Sequence, residues 1–247
     1  MTSELTDIET LARQLERAHP REILAYAVGA YSPQVAVSFS GAEDVVLIDL
    51  AKRAGLPFRV FSLDTGRLHP ETYRFIDRVR EHFDIEIELF YPEAEAVQRL
   101  VREKGLFSFY QDGHNECCAI RKVEPLGRAL EGTRAYITGQ RQDQSPATRG
   151  MLPVAQLDEG RKAPDGASLV KFNPLSYWSS ADVWQYIRER EIPYNELHDQ
   201  GFRSIGCEPC TRPTNPAQHE REGRWWWEEA TKRECGLHLP TIAATRA

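Results

Sequence analysis

Val35-Ala-Val-Ser-Phe39 runs straight into Ser40-Gly-Ala-Glu-Asp44 and then into Val45-Val-Leu-Ile-Asp-Leu-Ala51, and this stretch decides the fold. A short apolar, β-branched run reads as a buried strand, and the longer run beyond the Ser/Gly turn reads as a helix. The pattern repeats towards the C-terminus. Phe58–Leu63 reads as a second strand, residues 69–82 as a helix, and Ile85–Phe90, Arg134–Thr138 and Leu169–Phe172 as further strands. Strands separated by helical segments predict an α/β fold, a mainly parallel twisted sheet with helices on both faces. Towards the N-terminus, Ile8, Leu11 and Leu15 recur at helical spacing behind Asp7, a candidate N-cap. Pro20 then opens a second helix through Ile23, Leu24 and Ala27, and the two read as a packing hairpin. Asp158–Gly166 reads as a solvated polar loop, and Trp225–Glu234 as a helix with Gly236 at its C′ position.

The chain has 247 residues, a net charge of −6 and 28% charged residues, which argues against general nucleic-acid or membrane binding. No apolar run approaches the ~20 residues that span a bilayer. Met1-Thr-Ser-Glu-Leu5 has neither the basic nor the apolar part of a secretory signal, so the cytoplasm is the expected compartment. Thiols stay reduced there, and paired cysteines point to metal or catalysis.

Ligands of such sheets lie at the carboxyl ends of the strands. The Ser40-Gly41 turn enters a helix, where free backbone N–H groups and the dipole favour an anion. It is neither a Walker A loop nor a dinucleotide fingerprint. Leu63-Asp-Thr-Gly66 and Thr138-Gly-Gln-Arg-Gln-Asp-Gln-Ser145 end two further strands, and three small or polar turns together favour a phosphate-bearing ligand. Arg121, Lys122, Arg141, Arg149, Arg221 and Arg224 lie close to these motifs and suit a dianion that arginine grips bidentately.

Of the five cysteines, Cys117 and Cys118 are adjacent, Cys207 and Cys210 form a Cys-Glu-Pro-Cys pair, and Cys235 stands alone. Adjacent thiolates diverge and ligate one tetrahedral zinc poorly, whereas a cubane offers each a different iron, so [4Fe–4S] is favoured over zinc or a vicinal disulfide. Cys235 is a spare tail thiol or a nucleophile. At a helix C-terminus the dipole would raise its pKa, so activation must come from nearby cations or from His238. Trp225, Trp226 and Trp227 read as the docking face of the tail rather than a platform for a base.

Ser40-Gly-Ala-Glu-Asp44 resembles the pyrophosphate loop of the adenine-nucleotide hydrolases, with Glu43 where a basic residue is usual, which makes ATP a poor substrate. Leu63–Tyr73, Cys117–Leu126, Thr138-Gly-Gln-Arg141 and Glu234-Cys-Gly-Leu-His238 are similar to the sulfonucleotide reductases. The two cysteine pairs resemble the iron–sulfur branch of that family, the assimilatory adenylyl-sulfate reductases. That resemblance implies a [4Fe–4S] cluster on Cys117, Cys118, Cys207 and Cys210, and Cys235 as nucleophile on a mobile C-terminal tail. It places substrate at Ser40, Gly41, Leu63, Lys122, Gly139, Arg149, Arg221 and Arg224, with His238 contacting substrate or thiol. The implied reaction converts adenosine 5′-phosphosulfate to sulfite and AMP through an S-sulfocysteine in sulfate assimilation and cysteine biosynthesis. The implied electron donor is thioredoxin or glutaredoxin, since Cys207-Glu-Pro-Cys210 is committed to metal. Residues 1–205 are then the nucleotide-binding α/β part and 206–247 the cluster-ligand segment and tail, in a chain expected to form a homo-oligomer. The rival readings are a reductase of the 3′-phosphorylated nucleotide and a nucleotide-binding metal sensor without catalysis.

Overall fold

The structure, a computed structural model, describes residues 2–229 and 234. The chain runs α1 (Thr2–Leu15), α2 (Pro20–Tyr31), β1 (Val35–Phe39), α3 (Ala42–Arg53), β2 (Arg59–Leu63), α4 (Pro70–Phe83), β3 (Glu88–Phe90) and α5 (Ala94–Lys104). Short helices α6 (Phe109–Asp112) and α7 (Asn115–Cys118) follow, then a π-helical turn (Ala119–Val123) and α8 (Glu124–Ala129). The rest comprises β4 (Ala135–Ile137), α9 (Pro146–Arg149), β5 (Ala155–Lys162), β6 (Ser168–Phe172), α10 (Ser180–Arg190) and short 3-10 turns.

The six strands lie in the order β3-β2-β1-β4-β6-β5. All neighbours are parallel except β5, which runs antiparallel to β6. Strand order therefore reverses between β1 and β4, the place where open α/β sheets leave a crevice beyond their carboxyl ends. The unbroken apolar run of β1 has its cause in this position. Val35, Val37 and Phe39 pack with Leu24, Val45, Phe75 and Val183 in the main core. Ala36 faces the opposite core with Phe61, Leu126 and Tyr136. A parallel strand covered on both faces has no solvent side to alternate with.

Four local expectations change. Helix α1 starts at Thr2, so Asp7 lies within it and is not its N-cap. The third strand shrinks to Glu88–Phe90. Much of the supposed solvated loop Asp158–Gly166 belongs to edge strand β5, and Asp158 is buried because it accepts from Tyr136 Oη at 2.7 Å and pairs with Arg161 at 2.7 Å. Trp225 has a left-handed φ of 42° and sits in a turn, so no helix runs through residues 225–229. Among the described residues no helix is long and apolar enough to cross a membrane. Cys235 and His238 lie outside the described residues.

Candidate active site

Two turns close on each other where the strand order reverses. Asp44, in the first turn of α3, accepts from Ser40 N (2.8 Å), Ser40 Oγ (3.0 Å) and Gly41 N (3.0 Å) with one carboxylate oxygen. Its other oxygen accepts from Gly139 N, beyond β4, at 2.8 Å. The N–H groups of Ser40 and Gly41, expected to be free for an anion, are therefore held by Asp44. Burial and neighbouring Glu43 push the Asp44 carboxyl up to about 6, against the pull of these donors, so it is ionised at neutral pH.

Glu43 does not confront the ligand unpaired either. Its carboxylate takes Arg141 Nη2 at 2.9 Å and Gln144 Nε2 at 2.9 Å, and Arg141 also holds Glu220 at 3.1 Å. One buried cation thus serves two carboxylates. Burial opposes ionisation of Glu43, yet Arg141 and Gln144 hold it below the usual range. Glu220, by contrast, is pushed up to about 7 by burial, with Glu43 adding to the rise and Arg141 opposing it.

The crevice between these turns is also lined by Leu63, Lys122, Arg149, Arg221 and Arg224, and this brings together every predicted substrate residue that the structure describes. Arg149 and Arg221 converge on one carboxylate, that of Glu234. Arg149 Nε and Nη2 each donate to it at 3.0 Å, Arg221 Nη2 at 3.1 Å and Thr148 Oγ1 at 2.8 Å. Burial would raise the Glu234 carboxyl, but the two guanidinia override it and hold it down at about 2. The main chain of Glu234 is held as well, its carbonyl lying 2.8 Å from His114 Nε2.

Behind this clamp stands a second cavity, lined by all four paired cysteines, with Arg67 and Arg121. The four are thiols rather than disulfides. Cys117 and Cys118 arrive on α7, and Cys207 and Cys210 on a loop fastened to the turn beyond β2. Glu208 N donates to Arg67 O at 2.8 Å, and Thr65 Oγ1 lies 3.2 Å from Cys207 Sγ. Arg121 Nη1 donates to Thr65 O at 2.6 Å, so Leu63-Asp-Thr-Gly66 joins the cysteine loop to the helix after Cys118. Burial, followed by Cys207, pushes the Cys210 thiol up to about 12.

Trp225 and Lys122 line both cavities. The Trp225 ring stacks on His114 at 4.4 Å and carries Arg224 at 4.5 Å and Lys122 and Arg221 at 5.9 Å each. Arg224 is buried between this ring and Gly206, where any Cβ would strike its guanidinium. Trp225 is therefore a wall between the cysteines and the crevice, a role its reading as a docking face missed. Glu234, His114 and Asp44 were missed as well. The available signals were adjacency, since Glu234 precedes Cys235 and His114 lies just ahead of Cys117.

The phosphoadenosine phosphosulfate reductase domain matches residues 34–213, which span the sheet, all four paired cysteines and the crevice residues up to Gly206. The chain belongs to the phosphoadenosine phosphosulfate reductase family. Within that family it is 58% identical over 236 residues to the adenosine 5′-phosphosulfate reductase of Pseudomonas aeruginosa (strain UCBPP-PA14), covering 96% of this chain and 88% of that one. It is likewise 58% identical over 238 residues to the probable chloroplastic 5′-adenylylsulfate reductase 1 of Oryza sativa subsp. japonica, covering 96% of this chain but 50% of that protein. The chain thus spans about half the length of the plant reductases it matches. Among solved reductases, the phosphoadenylyl-sulfate reductase of Candida auris in its phosphate complex superposes with a TM-score of 0.68 at 30% identity, covering 83% of this chain and 96% of that one.

Proposed function

We propose that this chain reduces adenosine 5′-phosphosulfate to sulfite and AMP, with Cys235 as nucleophile. The observation that carries this reading is the shared wall: Lys122 and Trp225 border both a basic nucleotide crevice and a four-thiol cavity. The relatives named for that reaction, matched over nearly the whole bacterial protein, support the choice of nucleotide.

In this reading the anhydride lies against Lys122, Arg149, Arg221 and Arg224, which neutralise its charge and orient it. The Cys235 thiolate attacks the sulfate sulfur, the bond from that sulfur to the phosphate oxygen breaks, and AMP departs with the electron pair. A dithiol protein of the thioredoxin or glutaredoxin type then attacks the Cys235 sulfur. Sulfite leaves with the electron pair of the broken S–S bond. The donor's second thiol cleaves the resulting mixed disulfide, and Cys235 returns as a thiolate while the donor, oxidised by two electrons, becomes a disulfide. Such chemistry needs a reducing compartment, and the cytoplasm supplies one.

Cys117, Cys118, Cys207 and Cys210 would hold a [4Fe–4S] cluster. The donor set suits it, and the surroundings add a second argument. Arg67 Nη1 and Arg121 Nε, both at this cavity, are buried donors without a hydrogen-bond partner among the described residues. An anionic, acceptor-rich group between the thiols satisfies such donors. When bound, the cluster supplies negative charge and a four-point tie between α7 and the Cys207 loop.

The test is sulfite release from adenosine 5′-phosphosulfate and from its 3′-phosphorylated analogue, with reduced thioredoxin, by the wild type and by Cys235→Ser. Sulfite from the first nucleotide by the wild type alone is the expected result. Preference for the 3′-phosphorylated nucleotide would reassign the substrate. Turnover by Cys235→Ser would remove the nucleophile, and release from neither nucleotide would leave a binding protein.

A further inference from the structure

Arg149 offers a flat two-pronged edge, Nε and Nη2, which is the part of a guanidinium that grips an oxyanion. In this structure that edge is filled by Glu234, at 3.0 Å on each prong. The remaining terminal nitrogen, Nη1, is held by Gln144. Arg221 Nη2 and Thr148 Oγ1 complete the grip on the same carboxylate. Glu234 therefore sits where an incoming anion would be bound, and the next residue in the chain is Cys235.

We propose that Glu234 is an internal surrogate for the substrate anion, occupying the Arg149–Arg221 clamp until the nucleotide displaces it. The inference rests on the reading that the crevice takes adenosine 5′-phosphosulfate. A carboxylate and a sulfate or phosphate cannot both occupy one guanidinium edge, so docking of the Glu234 side chain and full engagement of the nucleotide are alternatives. The two holds on Glu234 also differ in kind. Its carboxylate is exchangeable for another anion, whereas its carbonyl stays with His114, which is buried and has its other ring nitrogen 2.7 Å from Glu228. Displacement then swings residue 234 about a retained main-chain tether instead of releasing the tail. Glu234 also supplies negative charge to buried Arg149 while no nucleotide is there.

Affinity measured by calorimetry in a Cys235→Ser background, where the substrate stays intact, tests this. Adenosine 5′-phosphosulfate should bind roughly ten-fold tighter to Glu234→Gln, the effect of removing a competitor worth about one charged hydrogen bond. Glu234→Asp keeps the charge but shortens the arm, so it too should bind the nucleotide more tightly. Adenosine, which has no anion, should bind all three proteins alike. Unchanged or weaker nucleotide binding in Glu234→Gln, an aspartate variant indistinguishable from the parent, or an equal gain for adenosine would each overturn the surrogate while leaving the nucleotide reading intact. Absence of nucleotide binding in every variant would sink both together.

Discussion

Gly139 N donates to Asp44 Oδ1 at 2.8 Å, and this main-chain contact draws the turn beyond β4 onto the turn beyond β1. It is short because residue 139 has no side chain. A Cβ placed there would lie 2.5 Å from Glu43 Cβ and 2.9 Å from the Glu43 carbonyl carbon. Gly139→Ala should therefore part the turns, lower stability by about 1–3 kcal/mol as an overpacked site does, and weaken nucleotide binding. Denaturant unfolding and calorimetry measure the two effects. Unaltered values in both would mean that the turns adjust without cost.

Arg221 and Arg224 are three residues apart and should behave differently when replaced by alanine. Arg224 is buried on the Trp225 ring, with Nη1 donating to Ile205 O at 3.1 Å. Its loss should lower stability by about 2 kcal/mol as well as weaken binding. Arg221, at the clamp, should cost affinity of about 1.5–3 kcal/mol and lower stability by less than Arg224 does, through its share of the Glu234 ion pair. Equal stability losses in the two variants would refute this division of roles.

Burial of Glu220 beside the shared cation Arg141 gives the protein a pH signature. Burial raises Glu220 to about 7, so between its ordinary value near 4.5 and about 7 the folded state binds more protons than the unfolded state. Its contribution to stability is then greatest below that window and falls as pH rises through it. Glu234 acts with the opposite sign and lower down. Its depressed carboxyl stabilises the fold above about 4.5 and loses that contribution as pH falls towards about 2. Glu220→Gln should gain stability relative to the wild type from pH 5 to about 7 and hold a constant difference above it. Melting temperatures across that range decide the matter, and parallel curves would exclude Glu220 as the titrating group.

Protein isolated without oxygen should contain about four iron and four acid-labile sulfide per chain. Cys207→Ser should lose most of both, whereas Cys235→Ser should retain them. Stoichiometric zinc with negligible sulfide would refute the cluster.

The strands of the sheet and both cysteine pairs were legible because their signals are local: apolar runs, small-residue turns and spacing. β5 was not. Its Asp158 is buried only because Tyr136 and Arg161 satisfy it, and a partner 22 residues away leaves no trace in the local pattern. Trp225-Trp-Trp-Glu-Glu229 reads as a helix by periodicity, yet Trp225 N is bonded to Cys210 O at 3.1 Å and its ring to His114, so distant contacts override local preference. The basic clamp was legible as charge near motifs. That a glutamate fills it was not, because Glu234 looks like any acidic residue until the chain folds back on Arg149.

The indole of Trp225 separates two compartments by the thickness of one ring. Damage to either compartment therefore does not stay local. If oxygen strips the thiol side, the packing that holds Trp225 against His114 loosens, and Arg224 loses the surface on which it lies. If the proposed cluster is present, a chain that has lost its iron should lose its grip on nucleotide as well, and a column bearing immobilised AMP would sort intact chains from spent ones.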